Sequence, residues 1–452
     1  MKARNASLLL LAPLVASMAA CQWLVALRGA EVTADVDASD DGATAPDAHI
    51  PAAPDPCGPV PPGPPASDVG ANKPSQPPFF FAVRRWAFRN DGPDKSPLFC
   101  DDPGFNLDGK NTWRGDAATG CAEQRSCATP TVSTACDYEH GVDNALPGVL
   151  DLILQVPGVN PGARTFDPNR VIEVGATNLL LELDDYNGEA DDRAVRVRFW
   201  VAAREERLRL PRDGGSPVVS IADLASMPVV WDGGGPSSWV VDRRSILGEA
   251  GSELVTSRYL ADGYVTGGVL VVPETGPGLL PISVPGGGGT SYRSGVLVAG
   301  IERSVGADGV VQLALSRGRL AMRMPSASLL SVVGNSRNPS STKSGQLCEP
   351  GNASDYQSFA RTTLCGRLDL PMPGSTDENL NCGELSAALF FSSVQSALSR
   401  VDGGRVLAIE DSTLGSGVPC PDDAGTQWCD DCAWSGPSRC DAGTPSLDAS
   451  AD

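Results

Sequence analysis

The chain has 452 residues, including 50 glycines and 38 prolines, and a formal net charge of −20. No basic patch is available to displace phosphate counterions, which excludes a nucleic-acid binder. The glycine and proline content disfavours a bundle of long helices, and the length is ample for a buried core.

The charge is uneven. Residues 31–69 carry eight acidic side chains and no Lys or Arg; residues 410–452 carry nine acidic side chains and one Arg. The acidity therefore belongs to the two flanks, and the middle is nearly balanced.

Met1 to Cys21 has the order of a secretory signal. Lys2 and Arg4 come first, Leu8–Val15 forms an apolar run, and Ala16, Ser17, Ala19 and Ala20 precede Cys21. A cysteine after Met18-Ala19-Ala20 points to lipoprotein processing, with lipid on the Cys21 thiol. Met18 stands where a Leu is usual. Ser7–Leu27 is also long enough for an uncleaved span, and ordinary cleavage is the third route. All three export the remainder.

Residues 22–78 read as an acidic, Pro-rich tether. They are too poor in apolar side chains to fold alone, and Pro61–Pro65 favours an extended conformer. Twelve cysteines follow Cys21: Cys57, Cys100, Cys121, Cys127, Cys136, Cys348, Cys365, Cys382, Cys420, Cys429, Cys432 and Cys440. An even count in an exported chain predicts up to six disulfides, with the pairing open. The only histidines are His49 and His140, which weakens a zinc alternative. Cys429-Asp-Asp-Cys432 resembles a redox pair but lies among acids that would raise a thiol pKa, so it reads as structural.

Phe79–Phe88 reads as a strand, and 90–137 as a cysteine-stapled loop region. Asp143–Leu154 has helical spacing, with Asp143 or Asn144 as cap and Pro147 in the first turn. Val171–Asp184 and Ala194–Ala203 flank an acidic turn as a hairpin. Val195, Val197 and Phe199 alternate there with Arg196 and Arg198, so one face is wet. Further strands are expected at 229–231, 239–242, 264–272, 296–302, 310–315 and 320–324. Ser326–Val333, Tyr356–Leu364 and Glu384–Val401 have helical spacing, although Leu389-Phe390-Phe391 would also suit a strand. Many short strands with Gly and Pro turns predict a mainly β, antiparallel sandwich or jelly roll over residues 79–410, with a few short helices. An acidic, cysteine-rich tail covers 411–452.

Several islands occur together: Ala87–Asn90 with Gly104–Lys110, Gly141–Leu146, Tyr186–Asp192, Trp231–Gly234 and Tyr259–Val265. This set resembles uncharacterised secreted proteins and lipoproteins of myxobacteria over residues 79–400. The resemblance implies export and a shared fold, and nothing about a reaction.

Four constellations could carry chemistry. Asp184, Asp185, Asn187, Glu189, Asp191 and Asp192 put hard oxygens in one loop, which suggests calcium; the plain alternative is a solvated turn with Asn187-Gly188 at its tip. Asn106-Leu107-Asp108-Gly109-Lys110-Asn111 resembles half of a calcium loop, with Gly104 where Asp would be wanted. Glu182 and Asp184 share a strand face, as in jelly-roll glycosidases, but Asn187 occupies the third position and cannot be a general acid. Trp231, Trp239, Tyr259, Tyr264 and Tyr292 suit core packing better than sugar stacking. No Gly-x-Ser-x-Gly occurs, His140 sits in a loop, and Pro285–Gly289 lacks the Lys of a phosphate loop. Together these features predict an envelope-tethered lipoprotein. Its membrane contact is an N-terminal lipid, and its role is non-enzymatic binding of a glycan or another envelope component. The alternative is a secreted polysaccharide hydrolase.

Overall fold

A computed structural model describes residues 54–67, 77–89, 96, 98–100, 102–110, 126–127, 141–155, 168–204, 218–219, 226–233, 237–241, 245–247, 256–257, 259–280, 290–305, 309–334, 347, 352–400, 408–409 and 432. In chain order it contains β1 (Phe79–Ala87), α1 (Leu146–Gln155), α2 (Pro168–Glu173), β2 (Asn178–Asp184) and β3 (Asp192–Arg204). Short β4 (Val218–Val219), β5 (Ser238–Val241), β6 (Ile246–Leu247) and β7 (Thr256–Ser257) follow, then β8 (Tyr259–Thr266) and β9 (Val269–Val272). Next come β10 (Gly278–Leu280), β11 (Thr290–Tyr292), β12 (Ser294–Val305), β13 (Val311–Pro325) and α3 (Ser326–Gly334). A helical segment joins α4 (Ala353–Asp355), π-helical Tyr356–Arg361 and α5 (Thr362–Cys365), and β14 (Glu384–Arg400) and β15 (Ala408–Ile409) end the series.

The fold is mainly β, but its sheet closes instead of splitting into the two layers of a sandwich or jelly roll. The ring runs β1-β2-β3-β8-β9-β12-β13-β14, and β14 pairs back onto β1, making an eight-stranded antiparallel barrel. Closure removes the free edges that a sandwich keeps. β5 lies outside the ring of eight. It pairs antiparallel with the end of β3 and parallel with the end of β14, where Trp239 is fully buried.

Side chains fill the inside of the ring. Phe81, Leu181, Phe199 and Tyr259 lie in one cross-strand row, and Val272, Leu297, Leu320 and Leu389 in another. Each fully buried Leu or Phe contributes about 2 kcal/mol by leaving water. Arg196 and Arg198 point outward as the alternation predicts. This apolar-in pattern is the reverse of a membrane-spanning barrel, whose lumen is polar and whose outer face is apolar.

Several elements differ from the sequence reading, for identifiable reasons. Glu384–Val401, expected as a helix, is the strand β14. Leu385, Ala387, Leu389 and Phe391 face the interior, whereas Ala388 and Phe390 are buried outside under Phe105 and Phe99. With both faces covered, period-two alternation leaves no polar trace. The span 264–272 is a hairpin turned by Gly267 and Gly268, with φ of 55° and 80°, where Cβ-bearing residues are strained. The two strands expected at 310–315 and 320–324 are the single β13. Its bulge at 315–318 puts Arg317 at a φ of 47° and lays Gly318 under the Phe391 ring, which a Cβ would meet at 2.6 Å. Residues 171–173 belong to α2, started by Pro168, and 229–231 are not a strand. Residues 54–67, expected as part of an unstructured tether, lie on the barrel wall.

Among the described residues, three disulfides fasten the covers: Cys57–Cys100, Cys127–Cys382 and Cys365–Cys432. The second joins the two sequence clusters across 255 positions. Cys432 pairs with Cys365 and not with its near neighbour Cys429, which removes the redox-pair reading. Cys121, Cys136, Cys348, Cys420, Cys429 and Cys440 lie outside the described residues, as does Cys21. Replacing both Cys127 and Cys382 with Ala is expected to lower stability by about 5 kcal/mol, because the closed loop is long. Chemical denaturation checks this, and an unchanged midpoint would contradict it.

Candidate functional site at the strap end of the barrel

One end of the barrel gathers the β2–β3 loop, the β8–β9 turn and the base of the β12–β13 hairpin. Gly268 N donates to Ala190 O at 2.7 Å, and Ile301 N donates to Gly268 O at 2.7 Å. The loop's acids turn inward on their own backbone. Asp192 accepts from Asn187 N at 2.7 Å and Ala194 N at 3.1 Å, and Asp191 accepts from Gly267 N at 2.7 Å. Asn187 Oδ1 accepts from Glu189 N at 2.7 Å, and Asp185, at a φ of 63°, pairs with Arg196 at 3.2 Å. Oxygens of Asp185, Asn187, Asp191 and Asp192 are thus engaged with amides and a guanidinium, which is how Asx-type turns are held. Among the described residues, no three His, Cys, Asp or Glu side chains gather as a metal cage. The second candidate loop also closes on itself: Asn106 Oδ1 accepts from Gly109 N at 2.7 Å, and Asp108 Oδ1 from Lys110 N at 2.8 Å.

Glu182 and Asp184 do share the outer face of β2, but one guanidinium holds both. Arg198 donates to Glu182 at 2.6 Å and to Asp184 at 2.8 Å, and Trp200 Nε1 donates to Glu182 at 2.7 Å. Desolvation pulls the Arg198 pKa down, yet the two carboxylates outweigh it and leave it above its ordinary value. Both carboxylates of the pair are thus engaged, by Arg198 and, at Glu182, by Trp200 as well.

On the opposite wall, Arg319 is 1% exposed. Its Nη2 donates to Gly58 O at 2.5 Å, and its guanidinium lies 4.1 Å from the Phe105 ring centroid. Burial lowers its pKa to about 10, with Asp102 and Asp55 opposing, so it stays charged at neutral pH. Burial raises the Asp102 pKa despite Arg319. Tyr264 Oη donates to Pro62 O at 2.5 Å, and Pro54 packs on Gly267 so closely that a Cβ there would meet it at 2.2 Å. Residues 54–67 are therefore a strap, and its first residue sits at the β8–β9 turn.

From the same turn the β12–β13 hairpin runs on beyond β9. Val305, Val310 and Val311 near its tip are 70%, 55% and 53% exposed, and Val305 faces Val311 across the hairpin. Glu302, Arg303, Ser304 and Gln312 form an exposed collar below them. Arg303 also bonds to Tyr186, whose pKa burial raises to about 12.

The aromatic residues weighed for sugar stacking divide. Trp231, Trp239 and Tyr292 are buried in the core, and Trp231 meets Trp239 edge-on at 5.1 Å. Tyr259 is half-buried, and the Tyr264 hydroxyl is taken by the strap. His49 and His140 lie outside the described residues. Sequence reasoning missed Arg319, the Arg198 clamp and the valine tip. Arg319 had no signal, since a buried and an exposed Arg look alike in a strand. The tip had one: Val305 and Val310-Val311 flank a Gly-containing turn.

The class so defined is an eight-stranded, apolar-cored antiparallel barrel with disulfide-fastened covers. No family model matches the chain, and neither a curated protein nor a solved structure does. Arg198→Leu is expected to strand the buried Glu182 charge, Asp184 keeping Arg196 at 3.9 Å, and to cost about 3 kcal/mol. Restoring stability with Glu182→Gln and Asp184→Asn in the same chain would confirm the clamp. A single variant as stable as the parent protein would contradict it.

Proposed function

We propose that the chain is a lipoprotein of a bacterial envelope that acts by contact and not by catalysis, with a glycan or another envelope component as its ligand. The observation that carries the non-catalytic reading is the Arg198 clamp, because it engages the one carboxylate pair that sequence spacing offers for hydrolysis. The disulfides fit an oxidising, exported environment. Among the described residues no helix is long and apolar enough to cross a membrane. Membrane attachment in this reading falls to Cys21. The likeness to myxobacterial secreted proteins and lipoproteins belongs to the same proposal.

Cys21→Ala is expected to move the protein from the membrane fraction to the soluble fraction of the expressing cells. Unchanged fractionation would overturn lipid anchoring. Incubated with envelope polysaccharide, the purified protein is expected to co-sediment and to liberate no reducing ends. Liberated ends would restore the hydrolase.

A further inference from the structure

We infer that the Cys57–Cys100 disulfide is a redox latch: its reduction by a dithiol frees the strap and uncovers Arg319 on the barrel wall. The two ends of the bond are held differently. On the Cys100 side, Phe99 stacks on Phe390 at 5.3 Å. Asp143 N donates to Phe105 O at 3.1 Å, and Leu107 N donates to Asp143 Oδ2 at 2.6 Å. That side keeps its seat without the bond. On the Cys57 side, two hydrogen bonds join the strap to barrel strands, accepted by Gly58 O and Pro62 O. The Cys57 and Gly58 amides donate within the strap, both to Asp55, at 2.9 and 3.1 Å. Pro56 and Pro65 are its buried residues.

Arg319 itself opposes closure. It is 1% exposed, its Nε has no hydrogen-bond partner, and Asp102 and Asp55 attract it without bonding to it. Taking a guanidinium out of water with an N–H unpaired is unfavourable, so opening the strap relieves a cost that the covalent bond holds in place. Opening also restores the chain freedom lost by closing a loop across 43 positions. The bond is within reach of an attacking thiolate, since Cys57 is half-buried, whereas Cys127 and Cys382 are 7% and 5% exposed. One thiolate of the dithiol attacks the Cys57 sulfur and Cys100 leaves. The second thiol then displaces Cys57 from the mixed disulfide. Two electrons and two protons pass to the cysteines, and the dithiol becomes a disulfide. Arg319 and the Tyr264 hydroxyl lose their strap carbonyls together. The redox state of one bond therefore sets whether these two donors are open to a ligand.

Titration of the purified full chain with dithiothreitol, with iodoacetamide to trap thiols, tests the first half of this. Cys57 and Cys100 are expected to label at reductant concentrations roughly tenfold below those that label Cys127 and Cys382. Cys57→Ser with Cys100→Ser tests the second half, because it opens the latch without reductant and leaves the other disulfides intact. In that variant Arg319 is expected to react with phenylglyoxal roughly tenfold faster than in the parent protein. Arg361, 4% exposed, reports the intact fold and is expected to stay as protected as in the parent. Three results would overturn the inference: Arg319 as protected in the variant as in the parent, Arg361 reacting along with Arg319, or Cys127 and Cys382 labelling no later than Cys57 and Cys100.

Discussion

The pairing of β1 with β14 is the constraint on which the rest of the structure depends. It joins the first strand of the barrel to the last, with Phe80 opposite Ser396 and Ala87 opposite Phe390. Without it Phe81, Val83 and Trp86 would lose the wall that covers them, and two sheet edges would lie open. Because its partners are so distant in sequence, the contact carries a large loop-closure cost that only the filled interior can offset. Phe391 shows how tightly that interior is specified: its ring fits because Gly318 has no side chain, and it packs on Trp86 at 6.0 Å.

Outside the ring, buried polar groups hold the covers in register. Arg319 reaches Gly58 of the strap. Glu384, 1% exposed, is held by Arg293 at 2.6 Å and by Arg323 at 2.7 Å, and Arg323 also donates to Leu107 O and Pro371 O. Asp369 accepts from Ser386 N and Oγ, and Asn144 from Ala388 N. Buried charges of this kind add little net stability, since desolvation consumes the Coulombic gain. Their value here is placement: each can be satisfied in only one seating of its loop, and the disulfides then secure that seating.

The sequence made some of this legible. The strand at Phe79, the helix from Leu146 with Pro147 in its first turn, and the wet face of β3 followed from local periodicity. β14 did not, because a strand buried on both faces has no alternation to read. Closure did not either: nothing local in Phe79–Ala87 or Glu384–Arg400 marks them as partners. The β2–β3 loop was correctly placed as a turn. The uses of its acids depend on Arg196 and on the Gly267 amide, which arrive from other strands. The strap went unrecognised because its hydrogen bonds to barrel strands are accepted by the backbone carbonyls of Gly58 and Pro62, which any sequence supplies.

Functionally, this arrangement separates two ends. Helices and disulfide-bonded loops pack on one. The other carries the strap's origin, the self-satisfied acidic loop and the valine-tipped hairpin. Rigidity of the barrel follows from its closure. Amide hydrogen exchange across β1 and β14 tests that closure most directly. The account predicts that their paired amides exchange only through global unfolding, together with those of β2 and β13. Exchange of β1 through a lower-energy opening, with the other strands still protected, would contradict it.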